Sequence, residues 1–205
     1  MTPLIPNIFV PTKELQIGKG IYRTAIHELF YLDQSVYPDN RGFFSEVVLF
    51  PEVEAITGES FITKQVNYAR SEKNVVRGIH AEGWNKCTFV TRGKAFCAVV
   101  DVRPDSKTFL KKEYLLLGEG EDALRGVLFL PSGVGNLLCV LEGPVDYIYL
   151  VNCLYKDRDP AGDVAISLFD PDIAIPWPIP REQMIISKRD IDAITLREKY
   201  PEKFK

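Results

Sequence analysis

Residues 94–103 read KAFCAVVDVR, and their middle is apolar on both faces. Side chains alternate across a strand, so a strand with one face in water is apolar only at every second position. A strand apolar on both sides is expected between covered layers. That expectation decides the fold class, because it requires structure above and below rather than a single open sheet.

Outward from this strand the same texture repeats. A polar loop at 118–126 precedes VLFLPSGVGNLLCVL (127–141), which reads as two strands joined by a Pro-Ser-Gly turn, and DYIYLVNCLYK (146–156) follows. In the last segment alternation puts Tyr147, Tyr149, Val151, Cys153 and Tyr155 on one face. Upstream, ELFYL (28–32) and GFFSEVVLF (42–50) flank a turn signal at Tyr37–Arg41 built from Pro38, Asp39 and Asn40. PEVEAIT (51–57) predicts a short helix opened by Pro51 and closed by Gly58. FITKQVNYAR (61–70) reads as a strand with Gln65 and Asn67 on one side, either surface decoration or a hydrogen-bonding shelf. FDPDIAIPWPIP (169–180) is rich enough in proline to predict an edge or irregular crossing. SKRDIDAITLREKY (187–200) predicts one helix, with Ser187 as N-cap, Asp190 three residues on and Pro201 past its end. Residues 1–23, with prolines and no sustained period, predict an extended arm. The whole reads as one all-β domain, 1–205, of the sandwich or barrel kind.

Composition excludes several classes of function. At 205 residues, 46% hydrophobic and 26% charged, the chain can bury a full core, and a net charge of −3 gives no bulk attraction to nucleic acid or membranes. Any anion site must be local. Cys87, Cys97, Cys139 and Cys153 sit in apolar runs without C-x-x-C spacing, so reduced, buried thiols are expected. The first residues show no basic region followed by an apolar core, and no stretch approaches 18 uninterrupted apolar residues, so a cytoplasmic location is expected.

Chemistry concentrates in VVRGIHAEGWNK (75–86), where His80 stands between Arg77 and Lys86 and close to Gly78 and Gly83. This reads either as a general base beside an anion site or as a satisfied structural histidine. Arg77 and His80 are three apart and would face opposite sides of a regular strand. Either a bulge at Gly78 or barrel curvature would be needed to bring both inward.

Taken together these segments resemble the dTDP-4-dehydrorhamnose 3,5-epimerase family. The resemblance runs from about Val36 to Asp190 through DNRGFFSE (39–46), QVN (65–67), VVRGIH (75–80), VVDVR (99–103) with SKTF (106–109), LPSG (130–133), Tyr149 and Tyr155, FDPDIAIPWP (169–178) and ISKRD (186–190). It implies a jelly-roll, cupin-type sandwich that uses no metal and no cofactor. It also implies a homodimer in which the strand carrying Arg41 is exchanged with the partner, and a nucleotide-diphosphate 4-keto-6-deoxy sugar as substrate. His80 would remove a proton from a carbon beside the ketone and Tyr149 would protonate the opposite face. Lys86 would meet the enolate oxygen, and Asp190 would orient the imidazole while also sitting in the cap of the helix. Carbons flanking a carbonyl are acidified, so inversion needs a base, an acid and a cation in this arrangement. For binding, the resemblance implies Arg41 and Arg77 on the pyrophosphate or nucleotide, Gln65, Asn67 and Glu46 on the substrate, Tyr155 stacked on the base, and Asp163 and Arg189 as further contacts.

The chain departs from the family's pattern at PSGVGNLL (131–138), where Asn136 stands in place of a second histidine. An amide hydrogen-bonds but does not exchange a proton near neutral pH. The departure implies inversion of a single carbon or action on a different sugar. The loop after His80 is also shorter than usual. Two other functions share the fold: a 3,4-ketoisomerase, which also needs a base beside a keto sugar, and a non-catalytic sugar-nucleotide-binding module. A metal-dependent oxygenase lacks ligands, since only His27 and His80 are present.

Overall fold

The computed structural model describes residues 5–204. The strands in chain order are β1 (Gln16–Gly18), β2 (Ile21–Arg23), β3 (Phe30–Asp33), β4 (Ser35–Asp39), β5 (Gly42–Glu46), β6 (Gln65–Ser71) and β7 (Val75–Ala81). They continue as β8 (Lys86–Asp101), β9 (Lys112–Gly118), β10 (Gly126–Leu130), β11 (Val134–Val151), β12 (Val164–Ala165) and β13 (Ile185–Ile186). The helices are α1 (Phe50–Thr57), α2 (Lys188–Ile191) and α3 (Leu196–Lys199). This is an all-β sandwich of jelly-roll type. No helix among the described residues is long and apolar enough to cross a membrane.

Two long strands, β8 and β11, run through both layers. Their residues 86–92 and 146–151 pair with each other and carry β10, β3, β2 and β1 on one side and β6 on the other. Their residues 94–101 and 134–142 also pair, and there they carry β9 on one side and β7 and β12 on the other. The change of layer falls at Gly93 (φ +74°), where a Cβ would come within 2.5 Å of the Glu142 carbonyl and 2.6 Å of the Pro144 carbonyl. Only glycine leaves room for that crossing.

The opening strand behaves as its pattern requires. Ala95, Cys97 and Val99 enter the core between the layers with Tyr31, Leu115, Leu130 and Val140. Phe96, Ala98 and Val100 face a second core roofed by the C-terminal segment through Ile166, Leu168, Ile173 and Leu196. A third cluster lies under α1, where Val53 and Phe61 pack on Cys87, Val127 and Phe129.

Four expectations change. The segment read as an extended arm is tied in: Phe9 is buried, its N–H bonds the Tyr114 carbonyl at 2.7 Å, and β1 and β2 extend the sheet beside β3; residues 1–4 of it lie outside the described residues. The strand begun at Gly42 stops at Glu46. The helix expected over 187–200 is two, because Thr195 and Glu198 form their own capping box and restart it after Ile194 has bridged Ile166. Tyr155 lies beyond the end of β11 in a short 3₁₀ turn, so alternation does not carry it onto the face of Tyr149.

One buried polar hub holds the loop after β8. Asp101, fully buried, takes Arg103 through both carboxylate oxygens (2.9 Å each) and the Ser106 and Thr108 hydroxyls (2.6 Å each). Burial alone raises its carboxyl, but these hydrogen bonds and the guanidinium outweigh it and hold the group below the usual carboxylate range. Its stability contribution is therefore present above about pH 4 and lost as pH falls through the lower folded value. Asp101→Ala is expected to cost about 3 to 5 kcal/mol at neutral pH. Urea melts at pH 7 and pH 3 check this, with the difference from wild type narrowing on the acid side.

Candidate active site

The register of β7 against β11 contains one extra residue. His80 pairs with Asn136 and Arg77 with Leu138, so between these pairs two residues on β7, Gly78 and Ile79, oppose the single Leu137 on β11. The extra residue is accommodated at Gly78 (φ +118°), whose missing Cβ would lie 2.5 Å from the Asn136 carbonyl oxygen and 2.7 Å from the Leu137 Cα. The bulge turns Arg77 and His80 onto one face, and both line a single cavity of about 120 Å³. Of the two ways the sequence left open, the bulge is the one observed.

The same cavity takes Lys86 and Thr88 from β8, and Asn136, Tyr147 and Tyr149 from β11. His80 Nε2 meets Asp190 Oδ1 at 2.7 Å, and the two side chains are 24% and 3% exposed. The imidazole is thus reachable while its carboxylate partner is sealed behind it. Asp190 serves two ends at once, since its N–H donates to the Ser187 hydroxyl at 3.2 Å in the cap of α2. Burial raises the Asp190 carboxyl, but the His80 imidazole, the Ser187 hydroxyl and the Gly78 N–H overcome it and hold the group below its ordinary value. Tyr149 moves the other way, pushed up by burial and then by the Glu82 carboxylate, against a smaller pull from Arg77. A phenol so placed keeps its proton at neutral pH and can donate it.

Lys86 is buried, and its Nζ lies against the Glu82 carboxylate and 2.5 Å from Asn136 Oδ1. Asn136 Nδ2 reaches toward the Tyr147 hydroxyl at 3.5 Å. Arg77 Nε donates to Ser71 Oγ at 2.8 Å. Among the described residues no group of His, Cys, Asp and Glu side chains is placed to hold a metal ion. Burial pushes the Cys87 and Cys139 thiols up to about 12, far from a nucleophilic thiolate.

The remaining site residues fall outside the cavity. Gln65 Nε2 donates to Asn67 Oδ1 at 2.6 Å and Gln65 Oε1 accepts from the Tyr155 N–H at 3.0 Å, which makes a polar shelf, with Asn67 paired to Tyr149 across the β6–β11 register. Asp163 is occupied by two arginines, Arg158 at 3.0 Å and Arg189 at 2.8 Å. It therefore ties α2 to the segment after β11. Arg158 also lies over the Tyr155 ring, 3.7 Å from its centroid. Arg41 and Glu46 are on the β4–β5 hairpin, a separate two-stranded sheet; Arg41 is 85% exposed and paired with Asp39, and Glu46 accepts from the Tyr37 hydroxyl. Neither residue lines the cavity; Glu46 and Tyr37 instead border a separate cleft with Lys19, Tyr22 and Leu49.

Sequence reasoning missed Glu82 and Thr88 and left Tyr147 without a role. Glu82 had a signal in its four-residue separation from Lys86 across a glycine-bearing turn. Thr88 had one in sharing a strand face with Lys86. Four larger clefts lie elsewhere among the described residues, the two most voluminous of about 670 and 880 Å³. In the first, Arg103 is consumed by Asp101, Glu28 and the His27 carbonyl; in the second, Lys94 is paired with Asp122 and Glu142. Convergent polar groups, more than volume, single out the smaller cavity.

Comparison with known proteins gives the same direction. The family model for dTDP-4-dehydrorhamnose 3,5-epimerase matches residues 23–198. The chain is 32% identical over 183 residues to the dTDP-4-dehydrorhamnose 3,5-epimerase of Escherichia coli K12, covering 87% of this chain and 95% of that protein. It superposes on the dTDP-6-deoxy-D-glucose-3,5-epimerase of Legionella pneumophila, in complex with dTDP-4-keto-L-rhamnose, with a TM-score of 0.78 at 31% identity over 89% of this chain and 95% of that one. A 3'-monoepimerase from Streptomyces bikiniensis, in complex with dTDP-quinovose, is similar at TM-score 0.76 and 30% identity, over 87% and 89% of the two chains.

Proposed function

This chain belongs to the dTDP-4-dehydrorhamnose 3,5-epimerase family, and from that premise we propose that it is an isomerase inverting C3 and/or C5 of a dTDP-linked 4-keto-6-deoxy sugar. The observation that carries the reading is that a carboxylate-held imidazole, a protonated phenol and a buried ammonium line one cavity. His80, with its ring fixed by Asp190, removes the proton from a carbon next to the ketone. The electron pair moves to the carbonyl oxygen, where Lys86 and the Asn136 amide stabilise the enolate. Tyr149 then delivers a proton to the other face of the same carbon, and the enolate collapses to the ketone. Atoms and charge balance without an oxidant or reductant.

Arg77 has guanidinium N–H groups beyond its Ser71 bond for a diphosphate oxygen, and the Gln65–Asn67–Tyr155 shelf lies at the end of β11 where a nucleotide base can stack. Asn136 cannot exchange a proton, and His27 lines a different cleft, so one imidazole serves the cavity and inversion of a single carbon is favoured. We also propose a homodimer in which the β4–β5 hairpin reaches the partner's site. Tyr37, Phe43 and Phe44 on that hairpin are more than half exposed, as are Val66 and Tyr68 on β6, which pairs only on its β11 side. Hairpin exchange covers both and carries Arg41 and Glu46 to a nucleotide.

The test is incubation with a dTDP-4-keto-6-deoxyhexose in heavy water, read by NMR and mass spectrometry. Wild type is expected to place deuterium on one carbon beside the ketone, with that carbon inverted and the ketone unmoved. Tyr149→Phe is expected to keep the exchange catalysed by His80 but to lose inversion by about 100-fold or more. Absence of label under wild type defeats the proposal, and a ketone shifted to C3 assigns the chain to ketoisomerases.

A further inference from the structure

Glu82 is the one acidic side chain of the cavity wall with no part in the proton transfers above. It follows β7 directly, and its loop is pinned on both flanks. The Glu82 carbonyl accepts from the Gly133 N–H at 2.8 Å, Asn85 Oδ1 from the Ser132 N–H at 2.9 Å, and the Asn85 N–H donates to Asn152 Oδ1 at 3.0 Å. Trp84 is buried beneath the turn. The loop has little freedom, so the Glu82 carboxylate has a fixed origin.

From there it contacts Lys86, whose side chain is only 6% exposed, while that of Glu82 is 16% exposed. A buried ammonium is costly unless a charge compensates it, and Asn136 offers only a neutral oxygen. This is unlike a solvated i,i+4 pair on a helix, because the two residues straddle a turn between strands and both face the cavity. We infer that Glu82 is a positioning residue of this enzyme, holding the Lys86 ammonium against Asn136 so that the cation faces the enolate oxygen. The inference rests on the epimerase reading and adds to it a residue that touches Lys86 rather than substrate.

Its negative charge also reaches Tyr149 and Tyr147, and after burial it is the next influence holding the Tyr149 phenol protonated. The other charged and titratable groups facing this point are Arg77 and His80 from β7, Lys86 from β8, and Tyr155 beyond β11. Removing the charge therefore has a direction: the alkaline limb of activity, where the phenol loses its proton, moves to lower pH.

The experiment compares wild type, Glu82→Gln and Glu82→Asp in the heavy-water assay across pH, and adds thermal melts of Glu82→Gln, Lys86→Met and the double variant. Glu82→Gln is expected to lower kcat by about tenfold to hundredfold with KM within about threefold. Its alkaline limb should fall at lower pH, and Glu82→Asp should recover part of both. In the melts, Lys86→Met should restore Tm in the Glu82→Gln background, a non-additivity that marks an uncompensated ammonium. A wild type that exchanges deuterium while Glu82→Gln matches it in kcat and pH profile overturns this inference alone, as does a change in KM only or strictly additive melts. A wild type without exchange overturns both this and the proposed function.

Discussion

His80→Ala is expected to reduce deuterium incorporation into the keto sugar by about 10²- to 10⁴-fold, the usual worth of a general base in place. The loss should fall on kcat, because alanine removes the group that accepts the proton but leaves Arg77 and the Gln65–Asn67–Tyr155 shelf. Folding should respond too. Asp190, 3% exposed in its side chain, would keep the Ser187 hydroxyl and the Gly78 N–H but lose the imidazole. A buried carboxylate short of one partner costs about 1 to 3 kcal/mol. The pH dependence of that cost has a fixed sign. In the wild type the carboxyl is held below its ordinary value, so its stability contribution is present above about pH 4 and disappears as pH falls through the folded value. The gap between wild type and His80→Ala should accordingly shrink in acid. A gap that widens in acid would mean that Asp190 is not the histidine's partner in solution.

Gly78→Ala is expected to damage stability and catalysis together. The backbone there has a φ of +118°, which L side chains rarely adopt, and the new Cβ would press on the backbone of Asn136 and Leu137. Strain and overpacking of this kind together amount to about 2 to 5 kcal/mol. The strand has one cheap escape, which is to lose the bulge, and that would put Arg77 and His80 on opposite faces. A misplacement of about 1 Å is already enough to cost about 100-fold, so kcat/KM should fall by at least that factor even where the variant folds. Gly83→Ala provides the contrast. The nearest atoms to its Cβ would belong to Gly162 at ordinary contact distance, with no strained φ, and its melting temperature should stay close to wild type. Equal effects at positions 78 and 83 would show that the bulge has no special part in assembling the site.

Much of this was legible in the sequence, for identifiable reasons. Residues 94–103 announced their two covered faces because burial acts on every position of an interior strand. His80, Tyr149, Lys86 and Asn136 could be named because the motifs around them are continuous. That they share a cavity could not be read off, since β7 and β11 are separated by three strands in the chain and meet only through their pairing in the sheet. The bulge at Gly78 was open to two readings, because a glycine's freedom shows in sequence but its use does not. The restart of the C-terminal helix was overlooked although Thr195 and Glu198 spell a capping box, since an unbroken polar and apolar rhythm conceals a local stop. Glu82 was passed over because its meaning depends on how tightly the turn after His80 closes. The pairing of Asp163 with two arginines was not legible because Arg158 and Arg189 lie on different segments.

The passage of β8 and β11 through both layers has a consequence for how such a protein can diversify. Lys86, Thr88, Tyr147 and Tyr149 are borne on the same two continuous beams whose other halves, from Ala95 to Val100 and, Asn136 apart, from Val134 to Val140, are buried. Any drift that repacks the buried halves tilts the cavity-lining ends as well, so the proposed site inherits the conservatism of the interior. Freedom to accept new sugars then resides in the parts mounted off the beams: the turn at residues 82–85, the β4–β5 hairpin and the stretch bearing Tyr155 and Arg158.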